Sequence, residues 1–293
     1  MNSVLHDKKA NFGTKFSMQE CIAPYYFHNG KSEECDRFDL RWVYEGESIY
    51  EVIRVQERIP LFIGDHIRRL ARTAELRGLK LPAGSGGIIR DIEDYITDTG
   101  MNEGNLKIVI NHNPDQSSGY HYLIYRIIHH YPTPEMYREG VKCLLHYAER
   151  FQPEAKVINP RLRNTIFKRL IETAHYEALL VNRQGEITEG SRSNVFFIRG
   201  ETLYTAPDKL VLPGISRAQV IRICMDHGFD LQMTAINAND LQKYDAAFLT
   251  GTSIRILPVS TIGKVCFQTG HSLLKQLHTA YDEGVRFYIR HYR

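Results

Sequence analysis

Along the first part of the chain, apolar residues change between the spacing of a strand and the spacing of a helix. Short runs rich in β-branched residues predict strands. Apolar residues that recur every three to four positions, with a capping residue before them and a glycine after them, predict helices. The predicted elements are a strand at 49–56, helices at 65–77 and 87–97, and strands at 106–111 and 120–128.

The second part of the chain continues the same mixture with shorter strands and more turns. A proline-containing segment at 132–139 has the character of a linker. The elements predicted after it are a strand at 141–147, a helix at 160–175, strands at 178–182, 194–198 and 202–205, helices beginning at 215 and near 237, a strand at 246–249 and a helix at 272–292. The pattern therefore predicts an α+β protein with a smaller domain at 1–131, which includes a polar tail at 1–20, and a larger domain at 140–293.

Composition restricts the class of protein. The chain has 293 residues, 43% of them hydrophobic and 24% charged, which is ordinary for a globular protein of about two domains. No apolar run approaches the ~18 residues of a membrane span, and residues 1–13 lack the apolar stretch of a secretory signal. We therefore expect a cytoplasmic protein that does not enter a membrane.

The net charge of +3 is too small to indicate nucleic-acid binding. The C-terminal residues 286–293 mix arginines with aromatic side chains, a pattern found in some nucleic-acid-binding segments. A helix that packs its apolar and aromatic side chains against the protein explains the same residues, and we expect no nucleic-acid partner.

The cysteines show no pairing pattern. Their number is odd, their spacing is wide, and no Cys-X-X-Cys motif or Cys/His cluster is present. We therefore expect reduced, partly buried thiols, with neither a disulfide framework nor a metal site. The cysteines are Cys21, Cys35, Cys143, Cys224 and Cys266.

The strand predicted at 49–56 places chemically useful side chains on one face. With a period of two, Tyr50 and Arg54 share a face with Val52, and Glu51 lies on the other face. A phenol and a guanidinium on one face could bind a carboxylate, or they could lie at the edge of the core.

Three turns carry more small and polar residues than packing requires: 188–194 (TEGSRSN), 212–217 (LPGISR) and 250–253 (TGTS). The second turn precedes a predicted helix. The unpaired N–H groups and the dipole of a helix N-terminus favour an anion, and hydroxyl groups can add to the site. Ile215 and Ser216 are placed for such an anion site.

Taken together, these turns resemble the fold-type IV pyridoxal-phosphate enzymes, which include branched-chain and D-amino acid aminotransferases and 4-amino-4-deoxychorismate lyase. The resemblance covers about two-thirds of the chain. Its motifs, in order, are 46–51 (GESIYE), 66–70 (HIRRL), 156–159 (KVIN), 176–180 (YEALL), 188–194 (TEGSRSN), 212–217 (LPGISR) and 248–252 (FLTGT).

The resemblance implies the cofactor pyridoxal 5'-phosphate (PLP) and the residues that bind it. Lys156 would form the Schiff base and move the α-proton, for which its amine must be deprotonated. Lys168, in a more charged context, is the alternative. Glu189 would keep the pyridine nitrogen protonated, and Arg69 would bind the phosphate.

Further cofactor contacts follow from the same resemblance. Ile215, Ser216 and Thr252 would complete the phosphate site, and Ser193 and Asn194 would orient the surroundings of the ring.

Substrate recognition is less clearly marked. Tyr50 and Arg54 lie at positions that line the substrate side in the family, and either could meet a carboxylate. The arginine that D-amino acid aminotransferases carry on a later strand of the small domain is absent here, although Lys107 or His112 could replace it. The Gly-Gly-Asn run that follows the lysine in branched-chain enzymes is absent as well.

The resemblance implies a small N-terminal α+β domain and a larger domain with a β-barrel-like sheet flanked by helices, with the cofactor between them. It also implies a homodimer. Three functions remain open. The chain could be an aminotransferase acting on an amino acid and a 2-oxo acid, a lyase of the aminodeoxychorismate type, or a non-catalytic binding relative. The retention of Lys156, Glu189 and Arg69 together argues against the last of these, and the transaminase is favoured.

Overall fold

The computed structural model describes residues 20–113, 119–128 and 130–292, and β-strands in two sheets organise it. The strands of the first sheet are β1 (Tyr25–His28), β2 (Lys31–Glu34), β3 (Glu47–Gln56), β4 (Ile59–Pro60), β5 (Gly104–His112) and β6 (Tyr120–Ile127). Their order is β2-β1-β6-β5-β3-β4, and all neighbours are antiparallel. The helices of this half are α1 (Arg41–Tyr44), α2 (Ile63–Leu76) and α3 (Gly84–Asp98), with a 3-10 turn at Cys35–Arg37.

Helices α2 and α3 cover one face of the first sheet. Their apolar side chains recur at helical spacing, so that Ile67, Leu70 and Ile92 all point into the same core as Ile53 of β3. Each of these side chains is almost wholly buried. Burial of a side chain of this size contributes about 1.5–3 kcal/mol, so this packing fixes α2 against β3.

The second sheet is larger and curls into a half-barrel. Its strands are β7 (Val141–Tyr147), β8 (Glu177–Val181), β9 (Glu186–Gly190), β10 (Asn194–Arg199), β11 (Thr202–Thr205), β12 (Asp230–Met233), β13 (Ile236–Asn237), β14 (Ala246–Gly251), β15 (Arg255–Ile262) and β16 (Val265–Cys266). Their order is β12-β11-β10-β14-β15-β7-β8-β9-β13, with β16 beside β15. The pairs β11–β12, β15–β7 and β7–β8 are parallel, and the other pairs are antiparallel.

Four helices accompany the second sheet: α4 (Pro134–Glu139), α5 (Pro160–Thr173), α6 (Ile215–His227) and α7 (Ser272–His291), with 3-10 turns at Asp208–Leu210 and Ala238–Lys243. Helices α6 and α7 cover one face, where Phe196 and Phe248 stack with ring centroids 5.0 Å apart. A second core lies on the other face of the sheet. Within the described ranges, no helix is both long and apolar enough to cross a lipid bilayer.

Within the described part of the chain, residues 286–291 of the C-terminal basic and aromatic segment belong to helix α7, as one of the two interpretations predicted. Tyr288 contacts the ring of Phe62 at 4.8 Å, and its hydroxyl accepts a hydrogen bond from the backbone N–H of Ile63. Tyr288 therefore packs against the first half of the protein, whereas Phe287 is exposed.

The predicted α+β architecture is confirmed, and the long helices lie within a few residues of their expected bounds. The proposed domain boundary falls between β6 and β7, although the segment 132–139 contains helix α4. Of the predicted tail 1–20, only Glu20 lies within the described residues. The hairpin β1–β2 and strands β9 and β15 were not predicted.

The expectation that all cysteines are reduced is wrong for one pair. Cys21 and Cys35 form a disulfide, with their Cα atoms 6.2 Å apart. Cys21 pairs with Ile127 of β6, and Cys35 follows the β1–β2 hairpin, so the folding of the hairpin onto the sheet brings them together. A separation of 14 residues gives no hint of this contact. Cys143, Cys224 and Cys266 are free.

Candidate active site

The segment that carries Lys156 lies along the beginning of strand β3. The backbone N–H of Tyr50 donates to the carbonyl of Lys156 at 3.1 Å, and the N–H of Ile158 donates to the carbonyl of Ser48 at 2.9 Å. Asn159 then caps the N-terminus of α5 by accepting a hydrogen bond from the N–H of Leu162. These backbone contacts fix Lys156 beside Tyr50.

The amine of Lys156 has an environment that favours its neutral form. Its Nζ lies 4.7 Å from the centroid of the Tyr50 ring. Burial lowers the pKa of Lys156, Tyr50 partly opposes this effect, and the nearby charge of Arg69 lowers the pKa further. Lys168, the alternative lysine, is exposed on α5, so the geometry favours Lys156 as the reactive amine.

Glu189 lies in strand β9 and connects two parts of the site. Its Oε1 accepts a hydrogen bond from Arg150 at 2.9 Å, and its Oε2 accepts one from the N–H of Leu212 at 3.0 Å. Arg150 also donates to the carbonyl of Ala155, the residue before Lys156. Burial raises the pKa of Glu189, and the charge of Arg150 opposes that rise. The carboxylate is therefore held near Lys156.

Arg69 belongs to a buried cluster with Glu51 and His66. The Nε and Nη2 of Arg69 donate to the two carboxylate oxygens of Glu51 at 2.7 and 2.6 Å, and His66 contacts the same carboxylate at 2.8 Å. Burial raises the pKa of Glu51, but the charge of Arg69 and the hydrogen bonds from both partners outweigh it and lower the pKa to about 2. Glu51 therefore stays ionised in the core.

The turn before α6 is held by side chains from α2 and β10. The Nη1 of Arg69 donates to the carbonyl of Pro213 at 3.1 Å, and the side-chain amide of Asn194 donates to the carbonyl of Leu212 at 2.9 Å. A Cβ atom on Gly214 would overlap the Oδ1 of Asn194, so any other residue there would displace the Asn194 side chain. Asn194 therefore shapes this turn.

Ser193 points toward a buried carboxylate. Its hydroxyl donates to Glu177 at 2.9 Å, and the hydroxyl of Ser191 donates to the same carboxylate at 2.6 Å. The N–H of Arg192 also contacts Glu177. Glu177 therefore organises the 188–194 turn, and Ser193 acts within that turn.

Three of the four predicted phosphate residues line one cavity, and the fourth, Arg69, does not line it. Its lining includes Ile215 and Ser216 at the N-terminus of α6, Thr252 after β14, and the side chains of His66 and Arg54. The N-terminus of α6 has no side-chain cap. Its free N–H groups and the nearby hydroxyls are suited to an anion.

On the predicted substrate side, Tyr50 lies among positive charges. Lys156 in its protonated form lowers the pKa of Tyr50 most strongly, and burial opposes this effect. The charges of Lys107, Arg150 and Arg163 lower the pKa of Tyr50 further. The Nζ of Lys107 is 5.7 Å from the Tyr50 ring and forms an ion pair with Glu20. His112 lies opposite Glu47 at the far end of the strand pair. Lys107 is thus the better placed of the two alternative carboxylate ligands.

The structure brings together most of the predicted residues and adds some that the sequence did not reveal. The Lys156 amine lies against Tyr50, and Arg150 links the Lys156 segment to Glu189. A separate cavity is lined by Arg54 together with Ile215, Ser216 and Thr252. The added residues are Glu51, His66, Arg150 and Glu177. Glu51 could have been found, because a carboxylate among the apolar residues of a strand face needs a partner. Arg150 lies in a loop that shows no pattern.

This arrangement joins a deprotonatable amine, a buried carboxylate and an anion site. An amine of lowered pKa can act as a nucleophile or a base. The carboxylate of Glu189 can neutralise a protonated ring nitrogen, and the N-terminus of α6 can bind a phosphate. The donor set therefore suits a phosphorylated, nitrogen-containing aromatic cofactor.

Comparison with known proteins gives the family. The family model described as amino-transferase class IV matches residues 48–262. The D-alanine aminotransferase of Bacillus licheniformis is 25% identical over 256 residues, which cover 82% of this chain and 88% of that protein.

Solved structures show the same fold at low sequence identity. The branched-chain amino acid aminotransferase of Escherichia coli matches with a TM-score of 0.81 at 19% identity and covers 90% of this chain and 95% of its own. A candidate 4-amino-4-deoxychorismate lyase from Legionella pneumophila matches with a TM-score of 0.74 at 22% identity, covering 81% of this chain and 91% of its own. Because the family model spans most of the sequence, this chain belongs to the class IV aminotransferase family.

Proposed function

We propose that the chain is a PLP-dependent aminotransferase that moves an amino group between an amino acid and a 2-oxo acid. The observation that carries this proposal is the position of Lys156. Its buried amine lies against Tyr50 and is joined to Glu189 through Arg150 and the Ala155 carbonyl. A class IV family member with this arrangement has the groups that the reaction needs.

The residues present fit PLP. Lys156 would hold the cofactor covalently, and Glu189 would bind its pyridine nitrogen. Ile215, Ser216 and Thr252 would bind the phosphate through N–H and hydroxyl groups, with Arg69 holding the turn from the other side. PLP when bound supplies an electron sink for the charge that develops at the substrate Cα.

Lys156 and Glu189 would share the proton chemistry. The lowered pKa of Lys156 leaves its Nζ free to accept a proton from the substrate Cα and to return it to the product. Burial raises the pKa of Glu189, and the charge of Arg150 opposes this rise and favours the ionised form. An ionised Glu189 can hold a positive charge at the ring nitrogen.

Tyr50 and Lys107 would recognise a substrate carboxylate. Tyr50 lies close to the Lys156 amine, and the nearby charges of Lys107, Arg150 and Arg163 lower its pKa, so an anion is favoured beside it. The carboxylate of Glu20 already contacts Lys107. A substrate carboxylate would compete with Glu20 for this amine.

The direct test is an absorbance titration of the full chain with PLP and then with L- and D-amino acids. The wild-type protein should develop a visible band that an amino acid bleaches. Lys156→Ala should lose this band, while Lys168→Ala, on the exposed face of α5, should keep it. A Lys156→Ala protein with an unchanged band would refute the assignment of the lysine.

The lyase of the aminodeoxychorismate type is the second candidate, because one of the similar structures is a candidate enzyme of that type. Both reactions would use Lys156 and Glu189. A band that no amino acid bleaches, together with pyruvate release from aminodeoxychorismate, would favour the lyase.

The homodimer stays a prediction that surface chemistry supports. Tyr147, at the end of β7, is 72% exposed, and Phe151, in the loop before Lys156, is 87% exposed. Large exposed apolar side chains often mark an interaction surface. The molar mass from light scattering tests this prediction.

A further inference from the structure

Arg54 is positioned by the turn that follows strand β14. Its Nη1 donates to the carbonyl of Ser253 at 3.3 Å, and Ser253 directly follows Thr252. The guanidinium also lies over the ring of Tyr131, with its Cζ 4.3 Å from the ring centroid. These contacts direct the guanidinium of Arg54, a residue of the first sheet, toward the second.

The cavity beside Arg54 is the one that contains the N-terminus of α6. Arg54 lines it together with Ser216, Thr252 and Arg255. The hydroxyl of Ser216 accepts a hydrogen bond from Tyr281 at 3.0 Å, which leaves its own proton available. Lys156 is not part of this lining. Arg54 therefore faces the proposed phosphate end of the site.

Among the positively charged side chains near this cavity, Arg54 differs from the others in its ion pairing. Arg255 is paired with Asp282 at 2.7 Å, and Arg69 is paired with Glu51. Burial lowers the pKa of His66, which favours its neutral form. Across the ranges that the structure describes, Arg54 has no carboxylate within ion-pair distance. A partly buried guanidinium without a counter-ion favours an anionic ligand.

We propose that Arg54 binds the cofactor phosphate instead of the substrate carboxylate, while Arg69 stays paired with Glu51 and holds the Pro213 turn. This inference rests on the proposed PLP dependence. A phosphate at the N-terminus of α6 would meet Ser216 and Thr252 from the second sheet and Arg54 from the first. Binding of the cofactor would thus tie the two sheets together through Arg54.

The test compares PLP with pyridoxal, which lacks the phosphate. Equilibrium dialysis of the full chain gives the dissociation constants of both compounds for the wild type, Arg54→Gln, Arg54→Lys and Arg72→Gln. Arg72, exposed on α2 and paired with Glu75, is the control. Loss of a charged hydrogen bond weakens binding by about 10-fold to 100-fold, so Arg54→Gln should bind PLP that much more weakly.

The affinity for pyridoxal should stay within about 2-fold of the wild-type value, because the lost contact is to the phosphate. Arg54→Lys keeps the positive charge but loses the paired N–H donors of the guanidinium, so it should retain part of the preference for PLP over pyridoxal. Arg72→Gln should retain the full preference. Arg54→Lys also serves as the test if Arg54→Gln does not fold.

Three results would overturn the inference. An Arg54→Gln protein that loses affinity for PLP and pyridoxal equally has a structural defect only. Unchanged PLP affinity with a raised KM for the amino acid would assign Arg54 to the substrate. A wild-type chain that binds no PLP would overturn the proposed function as well. PLP binding by the wild type therefore distinguishes failure of the proposed function from failure of the Arg54 inference alone.

Discussion

Replacing Glu51 by glutamine would leave the guanidinium of Arg69 buried without its counter-ion. Both Glu51 and Arg69 lie in the core, with side chains 0% and 7% exposed. The pKa of Glu51 falls from the ordinary 4.5 to about 2. Each tenfold change in a protonation equilibrium corresponds to about 1.4 kcal/mol, so the ionised carboxylate contributes about 3 kcal/mol to the free energy of unfolding. Breaking one partner of a buried ion pair costs a similar amount, about 3–5 kcal/mol.

The contribution of the ionised Glu51 carboxylate to the free energy of unfolding should decrease as the pH falls. Because the pKa of Glu51 is lower in the folded state than in the unfolded state, the stabilisation is complete above about pH 4.5 and is lost as the pH falls toward about 2. The difference between wild type and Glu51→Gln should therefore be about 3 kcal/mol at neutral pH and about 1 kcal/mol smaller at about pH 3.5.

Urea unfolding of the full chain without added cofactor, followed by fluorescence and circular dichroism, measures this difference. Glu75→Gln is the matched control, because Glu75 also pairs with an arginine of α2 but is 70% exposed. Glu75→Gln should lower the free energy of unfolding by no more than about 0.5 kcal/mol. If Glu51→Gln costs no more than Glu75→Gln, or if its cost does not change with pH, the buried cluster does not stabilise the fold as argued.

Three further predictions concern the turn before α6, helix α7 and the carboxylate near Lys156. Gly214→Ala would place a Cβ atom against the Oδ1 of Asn194 and should weaken PLP binding. Gly284 lies in α7, and no atom lies within 4 Å of a Cβ placed there. Gly284→Ala should therefore raise the free energy of unfolding by about 0.5–1 kcal/mol. Dialysis and urea unfolding measure the two effects, and equal PLP affinity of Gly214→Ala and wild type would contradict the first. Arg150→Gln removes the charge that lowers the pKa of Glu189, so the acid limb of the kcat/KM profile should move to higher pH. An acid limb that stays in place would exclude this role of Arg150.

Local patterns in the sequence were enough to predict most of the long elements. Helical spacing of Ile67, Leu70 and Ala74 predicts α2, and the structure buries that stripe against β3. The run Leu212–Arg217, with its Pro-Gly turn before a helix, marks the N-terminus of α6. Strand β9 was missed, because its residues Thr188–Gly190 are small and polar and match a turn as well as a strand.

The sequence by itself determined the family motifs, the α+β order and the residue types that the chemistry needs, because these depend on neighbours along the chain. Only the tertiary structure decided which side chains meet. The pairing of residues 156–158 with β3 sets Lys156 against Tyr50, and Arg150 joins Glu189 from a loop without a pattern. Arg54 shares a strand face with Tyr50, yet it lines the cavity at Ser216. Such contacts join residues far apart in the chain, and they form only when the sheets and helices bury their apolar faces together.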